Sequence, residues 1–366
     1  MSDPSRRRDF LNPLKAIQAF REESTEPSIE VPPPNAADLE DTDENGLLFV
    51  SKDAMACNFQ IYFSPTSGND ITETAIEALE SVEQLENQMT VYRSSPVTYL
   101  NERAAAEPVR LEKRLFALIQ KGVELYHKTQ GAFDMTSGLL TKAWGFFRQE
   151  GRVPDPAEIQ TLLEAVGSDK VQLDSVQETV FYSNGELEIN LGGIGKGHAL
   201  DRVAEFMTNA GVENFLIHGG QSSVLARGIR WKHADESQQA MEPWKVGLRH
   251  PIYSEKRIAE LTLNGKALGT SGTARQSFYH QGKRYGHIID PRTGYPAEGV
   301  FSATAIAATA AEADALATAF YVMGGEQSVQ FCEQHPDYAC LVLSATAAGE
   351  LHIDQSGIPE NEITFF

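Results

Sequence analysis

The stretch RYGHIIDPRTGYP, residues 284–296, places two apolar residues between a histidine and an aspartate and then runs into a Pro-Arg-Thr-Gly segment. Ile288 and Ile289 are expected to be buried, at the end of a short strand and its turn. It is flanked by three polar residues: His287, Asp290 and Arg292. Burying charged groups costs free energy unless they are paired or bind a ligand. The stretch therefore predicts a strand and turn whose polar groups either satisfy one another or belong to a functional site.

Around this stretch, predicted helices dominate the first half of the chain and strands the second. Helices are expected at 70–89, about 110–128, 155–166 (with Asp155 as N-cap), 196–210, 310–323 and 326–334. Strands are expected at 171–174, 179–183, 187–191 and in NFLIHGG, 214–220. Because strict βαβ alternation is absent, the pattern predicts an α+β fold rather than a doubly wound parallel sheet.

Composition excludes some classes of protein. The 366 residues suit one large domain, with a division into two closely packed lobes left open. Asp and Glu number 51 against 31 Lys and Arg, a net charge of −20, which disfavours nucleic-acid binding. The 3 cysteines form no CxxC pair and fit a reducing compartment. No apolar run approaches the roughly 18 residues of a membrane span.

The N-terminal residues 1–45 are rich in Pro, Glu and Asp and predict a disordered or extended arm, leaving 46–366 as the folded domain. The motif RRDFL is similar to a twin-arginine export signal. However, charged residues such as Lys15 and Arg21 interrupt the apolar region that such a signal needs. We therefore expect a cytoplasmic protein, with export as the less favoured alternative.

The segment INLGGIGKGHALD, 189–201, predicts a strand that ends in a glycine cluster before a helix opened by Lys196. Exposed N–H groups and a lysine at such a junction suit a phosphate. The spacing is not that of a Walker A loop, because Lys196 is followed by glycine. A tight turn with a solvated lysine is the alternative.

The segment TAAEADALATAFYVMGG, 309–325, predicts a buried, alanine-rich helix that begins with a capping box of Thr309 and Glu312. Asp314 and Thr318 are four residues apart and hence on one face. A buried carboxylate suggests a hard cation such as Mg²⁺. The alternative is that Thr318 bonds back to its own helix and Asp314 interacts with a helix N-terminus.

Two further segments carry weaker signals. In GAFDMTSGLLTKAWGFF, 131–147, Phe133 could cover a flat ligand, although a core aromatic residue is the commoner explanation. The loop GTSGTARQSF, 269–278, could hold an anion through its N–H groups or could be only a turn.

In this order, the segments resemble the ApbE-like family of FAD:protein FMN transferases, over roughly residues 47–353. The resemblance rests on seven segments, of which the last two are the most specific: MTVYRSSPVTYLN, GAFDMTSGLLTKAWGF, INLGGIGKGHALDRV, FLIHGGQSSVLARG, LGTSG, YGHIIDPRTGYP and EADALATAFYVMG. It implies a T-fold-like architecture of antiparallel sheets with helices packed on one side. The flavin would lie between the N-terminal helical part and the C-terminal sheet.

The resemblance also implies an activity. Members of that family bind FAD, cleave its pyrophosphate with Mg²⁺, attach FMN to a Thr or Ser hydroxyl of a partner protein and release AMP. The implied metal ligands are the carbonyl of Gly193 and the side chains of Asp314 and Thr318. The implied FAD-binding residues are Met55, Tyr92, Ala132, Phe133, Asp134, Asn190, Lys196 and Ile288. His287 matches the residue proposed to take the proton from the acceptor hydroxyl.

Elementary chemistry agrees with these roles. A hydroxyl is a poor nucleophile at neutral pH, so an imidazole such as His287 can act as its general base. Mg²⁺ and Lys196 would stabilise the phosphate charge of the departing AMP. Asp290 and Arg292 are expected to shape the turn beside His287.

The chain departs from the family's pattern at three places. Gln221 and Thr273 replace aspartates that the family commonly has, and Met55-Ala56-Cys57 replaces Met-Gly-Thr. Two alternatives therefore stay open: a non-catalytic flavin-binding protein, and an FAD pyrophosphatase that yields FMN and AMP. The sequence names neither the acceptor protein nor the oligomeric state, and it does not separate Mg²⁺ from other hard cations.

Overall fold

A computed structural model describes residues 41–42, 47–64, 69–147, 150–233, 239–253, 255–272, 276–346 and 350–366. The predicted arm 1–45 lies outside the described residues except for Asp41–Thr42, and the substitution at Thr273 also lies outside them. The arm therefore stays a prediction.

The helices follow the predicted order along the chain. They are α1 (Asn69–Met89), α2 (Pro96–Arg103), α3 (Lys113–Lys128), α4 (Gly138–Ala143), α5 (Pro156–Ala165), α6 (Gly195–Asn209) and α7 (Ala310–Gln334). Short 3₁₀ turns cover Ser168–Lys170 and Glu360–Glu362. The predicted cap of α5 is present, since Oδ1 of Asp155 accepts a 2.8 Å hydrogen bond from N of Ala157. In the described part of the chain, no helix is both long enough and apolar enough to cross a membrane.

The strands form four sheets in which every described pairing is antiparallel. In chain order they are β1 (Asp41–Thr42), β2 (Leu48–Ala54), β3 (Cys57–Phe63), β4 (Val109–Arg110), β5 (Val171–Asp174), β6 (Thr179–Tyr182), β7 (Phe215–Gly219), β8 (Ser223–Arg227), β9 (Ile229–His233), β10 (Gln239–Arg249), β11 (Arg257–Leu263), β12 (Ala267–Gly272), β13 (Ser277–His280), β14 (Lys283–Gly286), β15 (Val300–Ala307), β16 (Ala339–Ala345), β17 (Leu351–Ser356) and β18 (Ile363–Phe365). The α+β prediction is confirmed.

The main sheet has 9 strands in the order β1-β2-β3-β7-β8-β12-β15-β16-β17. A 4-stranded sheet has the order β18-β11-β10-β9; β13-β14 and β4-β6-β5 form two small sheets. Alternate residues of a strand point to opposite faces. Ile217 of β7 therefore packs with the helices, while its neighbour Leu216 packs with Trp244 and Leu261 of the 4-stranded sheet. Helices thus cover one face of the main sheet, and a second sheet covers the other.

Helix α7 contains the break that the sequence predicted between two helices. Gly324 has φ 77° and ψ 178°, a conformation that favours glycine, and separates the two halves of α7. The capping box is formed only in part. Oγ1 of Thr309 accepts from N of Glu312 at 3.3 Å, but the Glu312 carboxylate accepts from Oγ1 of Thr309 at 2.9 Å and from the Tyr338 hydroxyl at 3.1 Å.

The predicted strand at 187–191 is wrong, because this segment is not part of a sheet. Asn101 takes the place of a neighbouring strand: its Nδ2 donates to O of Ile189 and its Oδ1 accepts from N of Ile189, both at 2.9 Å. The next residue, Asn190, donates from N to O of Met135 at 2.7 Å. The backbone groups are therefore satisfied without a ladder.

Close packing of α6, α7 and β12 depends on glycine. A Cβ built on Gly197 would overlap the carbonyl oxygen of Ala310, and one built on Gly269 would overlap that of Ala313.

We expect Gly197→Ala to lower the free energy of unfolding by about 3 kcal/mol, because backbone cannot move aside as a side chain can. Urea titration measures this. Gly185→Ala is the matched control, since nothing lies within 4 Å of its Cβ position, and an equal effect of both changes would contradict the prediction.

Candidate active site

One large cleft, of about 1180 Å³, reaches around one end of the main sheet. Its lining comes from the β7–β8 turn, the last residues of β12, helices α6 and α7, and the turn after α3. Ten of the predicted site residues line it: Ala132, Phe133, Asp134, Asn190, Gly193, Lys196, His287, Ile288, Asp314 and Thr318. Segments far apart in sequence therefore meet at one place.

Asp314 is buried in the first half of α7, with 7% of its surface exposed. Its Oδ1 accepts from Oγ of Ser223 at 2.6 Å, and its Oδ2 accepts from N of Gly197 at 2.7 Å. Burial raises the pKa of the Asp314 carboxyl, while the Lys196 charge and the two donors oppose that rise. A carboxylate has about four acceptor positions, so these two bonds leave capacity for a cation.

Thr318 lies one helical turn beyond Asp314. Its Oγ1 is 3.2 Å from Oγ of Ser271 and donates to O of Asp314 at 3.3 Å. A Cβ built on Gly193 would lie 4.0 Å from this Oγ1, so the Gly193 backbone is adjacent. The back-bond of Thr318 and the bond from Asp314 to the first turn of α6, which the sequence offered as alternatives to metal binding, are both present.

These donors fit a hard cation. A carboxylate, a hydroxyl and a nearby backbone segment supply the oxygen atoms that Mg²⁺ prefers, with waters and phosphate completing its coordination. In the part of the chain that the structure describes, no group of three or more His, Cys, Asp or Glu side chains is placed to hold a metal. The side chains of Asp314 and Thr318 are oxygen donors of the kind that Mg²⁺ accepts, whereas zinc is usually held by His and Cys.

His287 follows β14 and is half-buried. Its Nδ1 is 3.2 Å from O of Gln276. A carbonyl can only accept, so Nδ1 carries the proton in the neutral ring and Nε2 is left as an acceptor. Burial lowers the pKa of His287, the Gln276 carbonyl opposes this, and the Lys196 charge lowers the pKa further. The ring is thus neutral and able to take a proton near pH 7.

The other polar residues of the 284–296 stretch satisfy one another. The Asp290 carboxylate accepts from N and Nε of Arg292 at 2.9 Å and from its Nη2 at 3.0 Å. Gly294, at φ 77°, closes the turn, and its carbonyl accepts from Nε1 of the buried Trp144 at 2.8 Å. Asp290 and Arg292 shape the turn that presents His287, as the sequence predicted.

The turn after α3 places Ala132 and Phe133 on the cleft wall. The Asp134 carboxylate accepts from N and Oγ1 of Thr136 at 2.8 Å and from Oγ of Ser168 at 2.6 Å. Burial raises the pKa of Asp134, and these donors oppose the rise. The side chain of Asp134 therefore holds the turn together.

Two of the predicted flavin-binding residues, Met55 and Tyr92, lie outside the cleft walls. N of Met55 donates to Oε2 of Glu86 at 2.8 Å. Tyr92 is 74% exposed, and its ring stacks on Phe147 with centroids 4.7 Å apart. Met55 and Ala56 have φ of 50° and 56°, in the left-handed region of backbone conformation that favours glycine. Ala56 stands where the family pattern has glycine, so this chain adopts that conformation with a residue that has a Cβ.

Several residues at the cleft had no signal in the sequence. Ser223 lies in FLIHGGQSSVLARG, which contributed to the resemblance only as a whole segment, and its hydroxyl donates to Asp314. Gln276 fixes the His287 tautomer through its backbone, which any residue could do. Gln221 was noted as a departure, and its Oε1 accepts from Nη2 of Arg249 at 3.1 Å. Arg249 itself was not predicted.

Comparison with known proteins gives concordant matches. The profile of the ApbE family matches residues 55–342. The chain is 31% identical over 267 residues to an FAD:protein FMN transferase of Klebsiella pneumoniae, covering 72% of this chain and 79% of that protein. It is 26% identical over 306 residues to the FAD:protein FMN transferase of Haemophilus influenzae, covering 80% and 85%.

Solved structures agree in fold. The crystal structure of the ApbE protein from Thermotoga maritima has a TM-score of 0.73 and 30% identity, covering 85% of this chain and 97% of that chain. The flavin transferase ApbE from Vibrio cholerae has a TM-score of 0.71 and 25% identity, with the same coverage. Each similarity extends over nearly the whole chain of the solved structure.

Proposed function

This chain belongs to the ApbE family, and from that premise we propose that it is a Mg²⁺-dependent FAD:protein FMN transferase. It would cleave the pyrophosphate of FAD, attach FMN to a Thr or Ser hydroxyl of a partner protein and release AMP. The observation that carries the proposal is the meeting of Asp314, Thr318, Lys196 and His287 in one cleft.

His287 acts as the general base in this proposal. Its Nε2 accepts the proton of the acceptor hydroxyl while the hydroxyl oxygen forms a bond to the phosphorus of the FMN half. The bond from that phosphorus to the oxygen of AMP breaks, and AMP leaves with the bonding electrons. The hydrogen bond from Nδ1 to Gln276 keeps Nε2 unprotonated beforehand.

Lys196 and the first turn of α6 bind and orient the phosphates. Asp314, Thr318 and the Gly193 carbonyl would hold Mg²⁺, which when bound neutralises negative charge on the pyrophosphate. Phe133 and Ile288 contribute apolar wall and exclude water from the reacting groups. Met55 and Tyr92, which do not line the cleft, stay predicted flavin contacts.

The low pKa of His287 predicts a specific pH dependence. Its neutral form is the active one, so transfer should weaken only as pH falls through a pKa below the ordinary 6.5. We expect the acid limb of kcat/KM for transfer to be centred below pH 6.5. An acid limb centred above 6.5 would contradict the assignment.

One experiment separates this function from its alternatives. The purified chain is incubated with FAD, Mg²⁺ and threonine-containing acceptor peptides. AMP and free FMN are then quantified, and the peptides are examined by mass spectrometry for covalent FMN. Transfer predicts AMP with flavinylated peptide. AMP with equimolar free FMN indicates a pyrophosphatase, and no AMP indicates a passive flavin-binding protein.

The cellular location is a separate proposal. The interrupted apolar region after RRDFL supports the cytoplasm, and that segment lies outside the described residues.

A further inference from the structure

Helices α6 and α7 exchange hydrogen bonds through two aspartates where they pack together. Oδ2 of Asp314, on α7, accepts from N of Gly197 in the first turn of α6 at 2.7 Å. In the opposite direction, the carboxylate of Asp201, on α6, accepts from N of Ala310 at 2.8 Å and from N of Ala311 at 3.0 Å. Each helix therefore binds the N-terminal turn of the other through a carboxylate.

The start of α7 uses Asp201 as part of its cap. The first N–H groups of a helix have no partner within it. Those of Ala310 and Ala311, the first two residues of α7, bond to Asp201, and that of Glu312 bonds to Oγ1 of Thr309 at 3.3 Å. Thr309 belongs to the same segment, whereas Asp201 comes from α6. Asp201 therefore fixes where α7 begins relative to α6.

Asp201 is half-buried and does not line the cleft. Burial raises the pKa of its carboxyl to about 6, and the two backbone donors oppose that rise. The group is therefore ionised at pH 7, and hydrogen bonds to an ionised carboxylate are stronger than those to a neutral acceptor. The charges of Arg202 and Arg227 also act on Asp201, and positive charges oppose the binding of a cation there. Asp201 is thus suited to hold α7 and not to bind a metal itself.

The proposed cation site is built across the same junction of helices. Gly193, whose carbonyl would be one ligand, lies just before the start of α6, whereas Asp314 and Thr318 belong to α7. The distances between these ligands therefore depend on how α7 is held against α6. A Cβ on Gly197 would overlap O of Ala310, so the two backbones cannot approach further. The bonds between the helices keep them from separating.

We propose that Asp201 is a positioning residue for the cation site and acts through the first turn of α7; this rests on the proposed function. Without its two bonds, the start of α7 shifts relative to α6, and Asp314 and Thr318 lose their alignment with Gly193. Removing a group that orients metal ligands typically weakens metal binding by roughly 10- to 100-fold. The expected consequence is weaker Mg²⁺ binding, with the chemistry largely intact once Mg²⁺ is saturating.

The test measures Mg²⁺ affinity separately from stability. The full chain is titrated with Mg²⁺ alone, and the apparent Kd is obtained by isothermal titration calorimetry and from the rise in Tm. We expect Asp201→Ala to raise this Kd by about tenfold. Asp201→Asn should raise it less, because an amide keeps one acceptor oxygen. At saturating Mg²⁺, kcat for AMP release from FAD should stay within about threefold of the wild-type value.

Asp155→Ala is the matched control, because the Asp155 carboxylate caps α5 and does not line the cleft. It should lower Tm and leave the Kd for Mg²⁺ unchanged. An unchanged Kd in Asp201→Ala, or an equal rise in Asp155→Ala, overturns the inference and makes Asp201 a structural cap only. If the wild type binds Mg²⁺ but releases no AMP, the transferase function alone is refuted, and the Kd of the Asp201 variants still decides the positioning role. A wild type that binds no Mg²⁺ overturns both.

Discussion

Replacing Asp314 by asparagine is expected to reduce Mg²⁺-dependent AMP release from FAD by about 10³-fold or more. The change keeps the shape of a buried side chain but removes the carboxylate charge among the proposed ligands. Loss of several kcal/mol of charge stabilisation corresponds to this factor. AMP release, measured by chromatography across a range of Mg²⁺ concentrations, tests the expectation.

A second readout separates loss of the metal from loss of the fold. A ligand that binds only the native state raises the unfolding temperature, so Mg²⁺ should stabilise the wild type and leave Asp314→Asn unchanged. Asp337→Asn, in the exposed connection after α7, removes the same charge away from the cleft and should behave as the wild type. Full Mg²⁺ activation of Asp314→Asn would refute the metal assignment.

Replacing His287 by alanine is expected to slow FMN transfer by about 10²–10⁴ while FAD affinity stays within about tenfold. The imidazole is positioned to take a proton, and its hydrogen bond to Gln276 fixes the orientation of the ring. Phosphate binding would rest on Lys196 and α6, which the change does not touch. Single-turnover transfer and a titration of FAD fluorescence give the two quantities.

The matched control is His280→Ala, an exposed histidine on the neighbouring β13 that does not line the cleft. It should change neither quantity. A large loss of FAD affinity in His287→Ala would make His287 a binding residue instead of a base, whatever the effect on rate.

Local patterns predicted most of the elements around the site because their signals lie within a few residues. The apolar spacing of 70–89 predicted α1, Asp155 predicted the start of α5, and the glycines after Met323 predicted the break in α7. The strand predicted at 187–191, in contrast, was wrong. Its partner is the side chain of Asn101, 88 residues before Ile189, and periodicity contains no information on such a bond.

Local patterns also predicted part of the candidate site. The four-residue spacing of Asp314 and Thr318 placed them on one helical face, and both line the cleft. Ser223, however, is 91 residues from Asp314 in sequence, and nothing distinguishes it locally from its neighbour Ser222. Arg249, on β10 of the 4-stranded sheet, contacts Gln221 of the β7–β8 turn only because the two sheets pack together. Contacts between distant segments depend on packing, which a single sequence does not encode in any short pattern.

The break at Gly324 divides α7 into two halves, and the two proposed oxygen donors both lie in the first half. A continuous helix would transmit a rotation along its whole length, whereas one residue outside helical geometry interrupts the hydrogen-bond ladder. Asp314 and Thr318 both precede the break, so their placement on one helical face is set by the first half of α7 alone.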